Sequence, residues 1–186
     1  MDGKVIANTA VRYVGYGYVW GGRAAYPGDW DCSSYVSYVL GHDLGLPLPG
    51  GRWGDPGFPP HQHGPTTYQY LNYGSPVSRS EVEPGILVVW NTHMGIAINR
   101  DYMVSARDPS EGVGEDFIDN DIVGEVPHFK LVGGVARVGG TEQGEIALGG
   151  RNIEELIRAS SKQLWTAGTD KHNSAMSIRK HRIRHR

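Results

Sequence analysis

The sequence contains a single cysteine among its 186 residues, which excludes an internal disulfide. It also lacks any run of about 18 consecutive apolar residues, so we expect no membrane-spanning helix. The first eight residues contain no apolar stretch behind a basic patch, and no secretory signal is predicted. Either a leader has been removed or the protein reaches its site of action without classical export.

Several common catalytic motifs are also missing. No Gly-x-Ser-x-Gly elbow and no His-Glu-x-x-His helix is present, so serine hydrolase and zinc peptidase interpretations have no support. The pair His61 and His63 has the spacing of two metal ligands, but no third ligand is visible and prolines flank it. We therefore predict no metal, no other cofactor and no nucleic-acid partner.

Charge is distributed unevenly along the chain. Residues 171–186 carry six basic side chains and no acidic one, for a charge of +6. The other residues hold 12 basic and 20 acidic side chains, so −8 and +6 return the net charge of −2. A basic tail on an acidic body is typical either of a solvated terminus or of an arm that meets an anionic polymer.

The 27 glycines favour a protein rich in turns over a helical bundle. Apolar spacing predicts helices over residues 4–14, 33–40 and 66–73, the second with Cys32 near its N-terminus. Short apolar runs between polar turns predict an antiparallel sheet, with strands at residues 86–90, 94–98, 102–106 and 131–138.

A change in composition near residue 140 predicts three regions. Residues 1–140 form the main domain, residues 141–170 a glycine-rich linker with an amphipathic helix, and residues 171–186 a disordered basic tail. Within the domain, residues 45–65 form a long irregular stretch that carries six of the 11 prolines. A loop of this length inside a compact domain is usually functional, although a solvent-exposed insertion has the same appearance.

Cys32 is the first candidate for chemistry. It follows a glycine-rich loop and begins a predicted helix, where backbone N–H groups favour a thiolate, while Asp31 and Ser33 flank it with polar groups. A cysteine nucleophile requires a base, and among the histidines His93 stands out because it begins a strand directly after a turn. A buried filler cysteine and a surface histidine have the same appearance, and sequence spacing cannot pair two residues that meet only in the fold.

Two blocks of residues in order carry a family resemblance. The run Tyr18-Val19-Trp20-Gly21-Gly22, followed by Asp31-Cys32-Ser33-Ser34, resembles the signature of the NlpC family of papain-like cell-wall cysteine endopeptidases. Downstream, Glu83-Pro84-Gly85 before a strand and His93-Met94-Gly95-Ile96 resemble that family's second block. The similarity covers about residues 5–138. It implies an α+β, papain-like fold in which the Cys-bearing helix packs on a central antiparallel sheet of about five to six strands.

The resemblance also implies roles for individual residues. Cys32 becomes the nucleophile, His93 the general base, and Tyr18 a phenol near the thiolate and the oxyanion. The expected substrate-binding residues are Asp31 and Ser33 in the groove, with Trp53 and His63 of the proline-rich stretch walling the cleft. Trp20 is expected to pack in the core.

Three positions depart from the family pattern. Ser34 replaces a glycine and Ile86 replaces an aspartate. The third polar residue of the family, usually a histidine twelve positions after the base, falls on Ser105. A serine hydroxyl can accept the imidazole N–H and orient His93, but more weakly than a histidine or a carboxylate. Asp108 is the alternative, and the orienting role is left open.

The reaction implied by the resemblance is hydrolysis of an amide in peptidoglycan stem peptides, between D-γ-Glu and meso-diaminopimelate or Lys, through a thioester. Two rival interpretations are a degenerate wall-binding or phage tail module, and amidase or acyltransferase chemistry on the same fold. The absent signal and the extra sequence after residue 140 resemble phage tail or lysis proteins. We therefore expect a secreted or virion-associated protein that acts at the bacterial cell wall, with anionic wall polymers as partners of the basic tail.

Overall fold

The computed structural model describes residues 1–59, 62–119, 125–132, 147–148 and 151–152. The chain divides into two compact units, Met1–Thr141 and Glu142–Arg186. In the second unit, β7 (Ala147–Leu148) pairs antiparallel with β8 (Arg151–Asn152). The predicted amphipathic helix beyond residue 152 and the predicted basic tail lie outside the described residues.

The first helix, α1 (Gly3–Val11), ends three residues earlier than the apolar spacing predicts. It begins at the N-cap Asp2, whose side chain accepts a 2.8 Å hydrogen bond from the backbone N–H of Lys4. Ile6, Ala7 and Ala10 form its fully buried face. An N-cap carboxylate satisfies an otherwise unpaired N–H of the first turn, which fixes where the helix begins.

The second helix begins at the candidate nucleophile. Helix α2 (Cys32–Ser37) is buried along its whole length and continues as a π-helical segment, Tyr38–Asp43. It packs against the third and fourth strands of the central sheet. The predicted helix over residues 33–40 is therefore present, and it carries Cys32 in its first turn.

The central sheet has six strands, all antiparallel, in the order β1-β6-β2-β3-β4-β5. Their bounds are β1 Ser75–Val77, β2 Leu87–Val89, β3 Met94–Ala97, β4 Tyr102–Ala106, β5 Val113–Phe117 and β6 His128–Leu131. Helix α3 (Thr67–Leu71) and a 3-10 helix (Arg79–Glu81) precede β2. The predicted antiparallel sheet is confirmed, with β1 and β5 as edge strands that the sequence pattern did not predict.

Apolar residues cover both faces of the sheet centre. Every residue of β2 and β3 is buried, as expected for strands covered on two sides. One face packs into a cluster that includes Val88, Ala97 and Met103, together with Ile118 just after β5 and Phe129 on β6. None of the helices in the described ranges is long and apolar enough to cross a bilayer.

The predicted core position of Trp20 is wrong, and Trp30 is the buried tryptophan of this part of the chain. Trp30 is fully buried, whereas Trp20 is 80% exposed. The Trp30 ring meets the rings of Tyr13, Tyr35 and Tyr38 edge-on, with centroid distances of 5.2, 5.5 and 4.7 Å. Edge-to-face contacts of this kind stabilise a core beyond the area they bury.

Candidate active site

The loop before Cys32 is held in place by close backbone contacts. The N–H of Val19 donates to the carbonyl of Trp30 at 2.9 Å, and the N–H of Ala24 donates to the carbonyl of Asp29 at 2.9 Å. Between these bonds, a Cβ on Gly22 would lie 2.7 Å from the backbone of Asp29 and Trp30. The last glycine of the Tyr-Val-Trp-Gly-Gly run is therefore required by backbone packing.

Asp31 fixes the start of helix α2. Its Oδ1 accepts hydrogen bonds from the backbone N–H groups of Ser33 at 3.1 Å and Ser34 at 3.0 Å. In return, the hydroxyl oxygen of Ser34 accepts from the N–H of Asp31 at 2.8 Å, which completes a capping box. The departure at Ser34 thus strengthens the helix start at no steric expense.

The sulfur of Cys32 lies against the strand that begins after His93. Helix α2, whose first residue is Cys32, packs against β3, and the backbone N–H groups of Met94, Ser33 and Cys32 itself favour the thiolate form. Burial, followed by the negative charge of Asp31, raises the pKa of the Cys32 thiol to about 12. Met94 directly follows His93 in the chain, Cys32 is 7% exposed, and the pairing of Cys32 with His93 stays a prediction.

His93 is half-buried at the start of β3, with its ring centroid 6.0 Å from that of Trp90. Burial lowers the pKa of its imidazole, an effect that the charge of Asp116 opposes and that of Arg107 reinforces. A lowered imidazole pKa and a raised thiol pKa both favour the uncharged forms. The neutral thiol of Cys32 and the neutral imidazole of His93 are thus the favoured forms, and a neutral imidazole can accept a proton.

A polar network lies on the two strands next to His93. Strand β3 pairs Ile96 with Val104 of β4. Continued by three residues, this register places His93 opposite Arg107. Ser105 precedes Arg107 by two residues and therefore lies on the same face of the sheet. The buried hydroxyl of Ser105 donates to Oδ2 of Asp116 on β5 at 2.7 Å. Arg107 Nε contacts the other oxygen of Asp116 at 2.8 Å.

Asp116 and Arg107 are site residues that the sequence pattern missed. Asp116 lies on β5, an edge strand whose sequence Val-Gly-Glu-Asp-Phe shows no clear apolar alternation. Among the described residues, no side chain hydrogen-bonds the ring of His93, so the orienting role of Ser105 stays a prediction. The observed hydrogen-bond partner of Ser105 is the carboxylate of Asp116, which is thus the acidic group in contact with this serine.

Asp108, the alternative orienter of His93, hydrogen-bonds within a surface turn, and its orienting role stays a prediction. Its Oδ1 accepts from the N–H and hydroxyl of Ser110 at 2.7 and 2.6 Å and from the N–H of Glu111 at 3.0 Å. These contacts, together with neighbouring Arg107, lower the pKa of its carboxyl, which lies at the surface. The geometry therefore assigns Asp108 to the turn between β4 and β5.

Tyr18 lies within electrostatic range of the nucleophile. Burial, followed by the charges of Cys32, Asp31 and Asp108, raises the pKa of its phenol to about 12. The hydroxyl therefore stays protonated at neutral pH and is available as a hydrogen-bond donor. The role that the family resemblance implies for Tyr18, near the thiolate and the oxyanion, stays a prediction.

The predicted substrate-binding residues fall in two places. Ser33 is buried beside Asp31 and its hydroxyl donates to Asp31 Oδ1 at 3.1 Å, while His63 Nε2 lies 2.7 Å from Asp31 Oδ2. Trp53 packs edge-on against Tyr38 and His42 at the far end of the helical segment. These contacts give Trp53 a packing role, and its contact with substrate stays a prediction.

Metal-ligating side chains do not cluster in the ranges that the structure describes. No group of three His, Cys, Asp or Glu residues there has the geometry to hold a metal ion. His61, one member of the His-x-His pair, lies outside those ranges. His63, the other member, has its two ring nitrogens near Asp31 Oδ2 and the carbonyl of Gly64.

A thiol at the start of a helix, packed on an antiparallel sheet whose strand presents a histidine, is the arrangement of papain-like cysteine hydrolases. The profile of the NlpC/P60 family matches residues 15–128. The chain belongs to the NlpC/P60 family, and the resemblance predicted from the sequence is confirmed.

Two curated relatives and two solved structures are similar to this chain. "Probable endopeptidase p60" of Listeria grayi is 33% identical over 114 residues, which are 59% of this chain and 18% of that protein. "Protein P54" of Enterococcus faecium is 27% identical over 118 residues, 61% of this chain and 20% of that protein. The chain thus spans about a fifth of the length of these relatives.

Among solved structures, the NlpC/p60 domain of the peptidoglycan hydrolase SagA matches with a TM-score of 0.52 and 26% identity. The match covers 70% of this chain and 100% of that domain. The peptidoglycan hydrolase RipB from Mycobacterium tuberculosis matches with a TM-score of 0.50 and 19% identity, covering 70% of this chain and 64% of RipB. The fold prediction is confirmed by these matches.

Proposed function

We propose that the domain is a cysteine endopeptidase that hydrolyses an amide bond in peptidoglycan stem peptides. The observation that carries the proposal is the packing of helix α2, which begins at Cys32, against β3, because it joins the helix of the thiol to the strand that follows His93. The relatives support the substrate class, since their names describe an endopeptidase and peptidoglycan hydrolases.

The reaction begins from the neutral pair. His93 accepts the thiol proton as the sulfur of Cys32 attacks the amide carbonyl carbon, and the C–S bond forms while the carbonyl oxygen becomes an oxyanion. Tyr18 and the backbone N–H of Cys32 donate to that oxygen. The imidazolium of His93 then gives its proton to the departing amine as the C–N bond breaks.

A thioester on Cys32 remains after the amine leaves. His93, neutral again, removes a proton from water as the water oxygen attacks the thioester carbonyl. Collapse of this second tetrahedral intermediate expels the thiolate, which recovers its proton from His93, and releases a carboxylic acid. We propose the bond between D-γ-Glu and meso-diaminopimelate or Lys as the one cleaved, with Asp31, Ser33, Trp53 and His63 as substrate-binding residues and Ser105 as the orienter of His93.

Digestion of purified peptidoglycan tests the proposal. Wild type should release fragments whose masses locate the cut inside the stem peptide, whereas Cys32→Ala and His93→Ala should release none. His42→Ala is the matched control, because His42 pairs with Asp43 away from Cys32 and should leave the digestion unchanged.

Other outcomes of the digestion have defined meanings. Binding of the wall without release of fragments would identify a degenerate module and overturn the proposal. A cut between the sugar and the first stem residue would identify an amidase, and transfer of the acyl group to an amine would identify an acyltransferase.

We also propose that residues 171–186, with a charge of +6, bind anionic polymers of the wall. Attraction of this kind is screened by salt. Removal of these residues should weaken wall binding at low salt but spare cleavage of a small soluble stem peptide. Equal wall binding by the full and shortened chains would contradict this.

The place of action that we propose is the bacterial cell wall, reached by a secreted or virion-associated protein. Its substrate lies outside the cytoplasmic membrane, which supports this placement. Detection of the protein in culture supernatant or in purified phage particles, and not in the cytoplasmic fraction alone, tests it.

A further inference from the structure

His63 and Asp31 form a close pair beside the nucleophile. His63 Nε2 lies 2.7 Å from Asp31 Oδ2, and the two side chains are 28% and 10% exposed. Asp31 immediately precedes Cys32, whereas His63 comes from the proline-rich segment, residues 45–65. A segment remote along the chain thus reaches the residue next to the candidate catalytic thiol.

The two carboxylate oxygens of Asp31 have different hydrogen-bond partners. Oδ1 accepts the four hydrogen bonds that cap helix α2, from the N–H and hydroxyl groups of Ser33 and Ser34. Oδ2 accepts from the N–H of Gly21 at 3.3 Å and faces His63. Among these partners of Asp31, only His63 can carry a positive charge.

A buried carboxylate without a counterion would oppose the nucleophile. The charge of Asp31 raises the pKa of the Cys32 thiol, since a thiolate beside a carboxylate brings two negative charges together. Tyr18, whose phenol lies within electrostatic range of the sulfur, cannot supply a positive charge, and burial favours the neutral form of His93. The group beside Asp31 that can carry a balancing charge is His63, on the other side of the carboxylate.

We propose that His63 is a positioning residue for the nucleophile: an imidazolium, delivered by the proline-rich segment, that holds Asp31 in its capping position and cancels its charge beside Cys32. The inference rests on the proposed function, in which Cys32 is the nucleophile. It gives the proline-rich segment a part in the chemistry of the site, because its His63 balances the charge of Asp31 beside Cys32.

Two further observations support the proposal. The hydrogen bond to Asp31 raises the pKa of His63, while the bond from His63 helps to lower the pKa of Asp31 against the effect of burial, so both groups favour their charged forms. The segment is also held at this point. Gly64, with φ of +84°, would place a Cβ 2.9 Å from Pro59 and 3.9 Å from the hydroxyl of Ser37 on α2.

The test measures the reactivity of Cys32 without any substrate. Because Cys32 is the only cysteine, alkylation by iodoacetamide between pH 6 and 10 reports its thiolate fraction alone. His63→Gln keeps a hydrogen-bond donor but removes the charge, and should slow alkylation at neutral pH by about threefold or more, given tenfold per pKa unit. His63→Lys, which restores a cation, should recover part of the rate.

A double variant separates charge from loss of structure. In Asp31→Asn/His63→Gln both charges are absent, and alkylation should be faster than in His63→Gln alone. His42→Gln is the matched control, because His42 also lies 2.7 Å from an aspartate, Asp43, but away from Cys32. Its alkylation profile should equal that of the wild type.

Either of two results would overturn the inference: a wild-type alkylation profile for folded His63→Gln, or a double variant as slow as His63→Gln. Unfolding midpoints in urea establish that each variant is folded. These results are independent of the proposed function, because failure of wild type to cut peptidoglycan would sink the latter while the alkylation profiles still decide the role of His63.

Discussion

The hydroxyl of Ser105 on β4 donates a 2.7 Å hydrogen bond to Oδ2 of Asp116 on β5. Because the hydroxyl proton is directed at the carboxylate, the lone pairs of the serine oxygen remain available as acceptors. Hydrogen bonds in series polarise one another, so the carboxylate makes this oxygen a stronger acceptor than an isolated serine. We propose that a serine backed by an aspartate takes the place of the histidine that the family pattern has at this position.

The first prediction concerns this pair. Ser105→Ala and Asp116→Asn should each lower kcat about tenfold, about 1.4 kcal/mol of transition-state stabilisation, and leave KM nearly unchanged, because they disturb the orientation of His93 and not the binding of substrate. Steady-state cleavage of a soluble stem peptide measures both constants.

The control for this prediction is Ser110→Ala. Ser110 also donates a hydroxyl to an aspartate, Asp108, at 2.6 Å, but in a surface turn. It should retain wild-type kcat. A loss in Ser110→Ala as large as that in Ser105→Ala would show that the effect is general destabilisation.

The second prediction is a pH dependence of activity. His93 must be neutral to act as a base, and burial lowers its pKa, so the acid limb of kcat/KM should lie below the usual histidine value of about 6.5. The charge of Asp116 raises this pKa and that of Arg107 lowers it, with Glu125 acting in the same sense as Asp116. Asp116→Asn should therefore move the acid limb to lower pH, and Arg107→Gln should move it to higher pH.

The pH–rate profiles of the two variants check this sign. Shifts in the same direction would show that the variants act by deforming the sheet and not through their charges. His42→Gln, remote from the site, should reproduce the wild-type limb.

The third prediction concerns the glycines before Cys32. A Cβ on Gly22 would lie 2.7 Å from the backbone of Trp30, and the backbone on both sides of that contact is hydrogen-bonded. Gly22→Ala should therefore lower the free energy of unfolding by about 1–3 kcal/mol. Gly17→Ala is the matched control, since its Cβ would have only an ordinary contact at 3.6 Å. Urea unfolding compares the two, and equal losses would contradict the steric argument.

The fourth prediction separates the two tryptophans around the signature. Trp30 is fully buried among tyrosines, so Trp30→Ala should lower the free energy of unfolding by about 3–5 kcal/mol. Trp20 is 80% exposed, and Trp20→Ala should change it by no more than about 0.5 kcal/mol. Thermal or urea unfolding measures both, and a large loss for Trp20→Ala would show that its ring packs in solution.

The sequence predicted the parts of the fold that apolar patterns define. β4, Tyr102–Ala106, was predicted at its observed bounds, because it is a mostly apolar run between polar turns. β5, Val113–Phe117, was missed because its centre is Gly-Glu-Asp, and a strand of this composition depends on its neighbour for its conformation. β1 was missed for a similar reason, since it contains Pro76 and is only three residues long.

The candidate site also contains residues that sequence patterns predicted and residues that they missed. Cys32 and His93 were found through motifs, and the structure brings the thiol to the strand that follows the imidazole. Asp116 could not be found, because its part in the site depends on the pairing of β5 with β4, which no local pattern in the sequence encodes. Trp20 was misplaced because an aromatic residue in a signature has the same appearance whether it packs inward or faces solvent.

The strands β2 to β5 follow one another in both the sequence and the sheet, and residues 93–116 contain His93, Ser105, Arg107 and Asp116. The base and its polar surroundings therefore assemble from short hairpins with little loop-closure entropy, while the thiol arrives from some 60 positions upstream. Assembly of the candidate site thus depends on a single long-range docking event, in which helix α2 packs onto strands β3 and β4. Native-state hydrogen exchange would follow that event at the amides of α2, which is buried along its whole length.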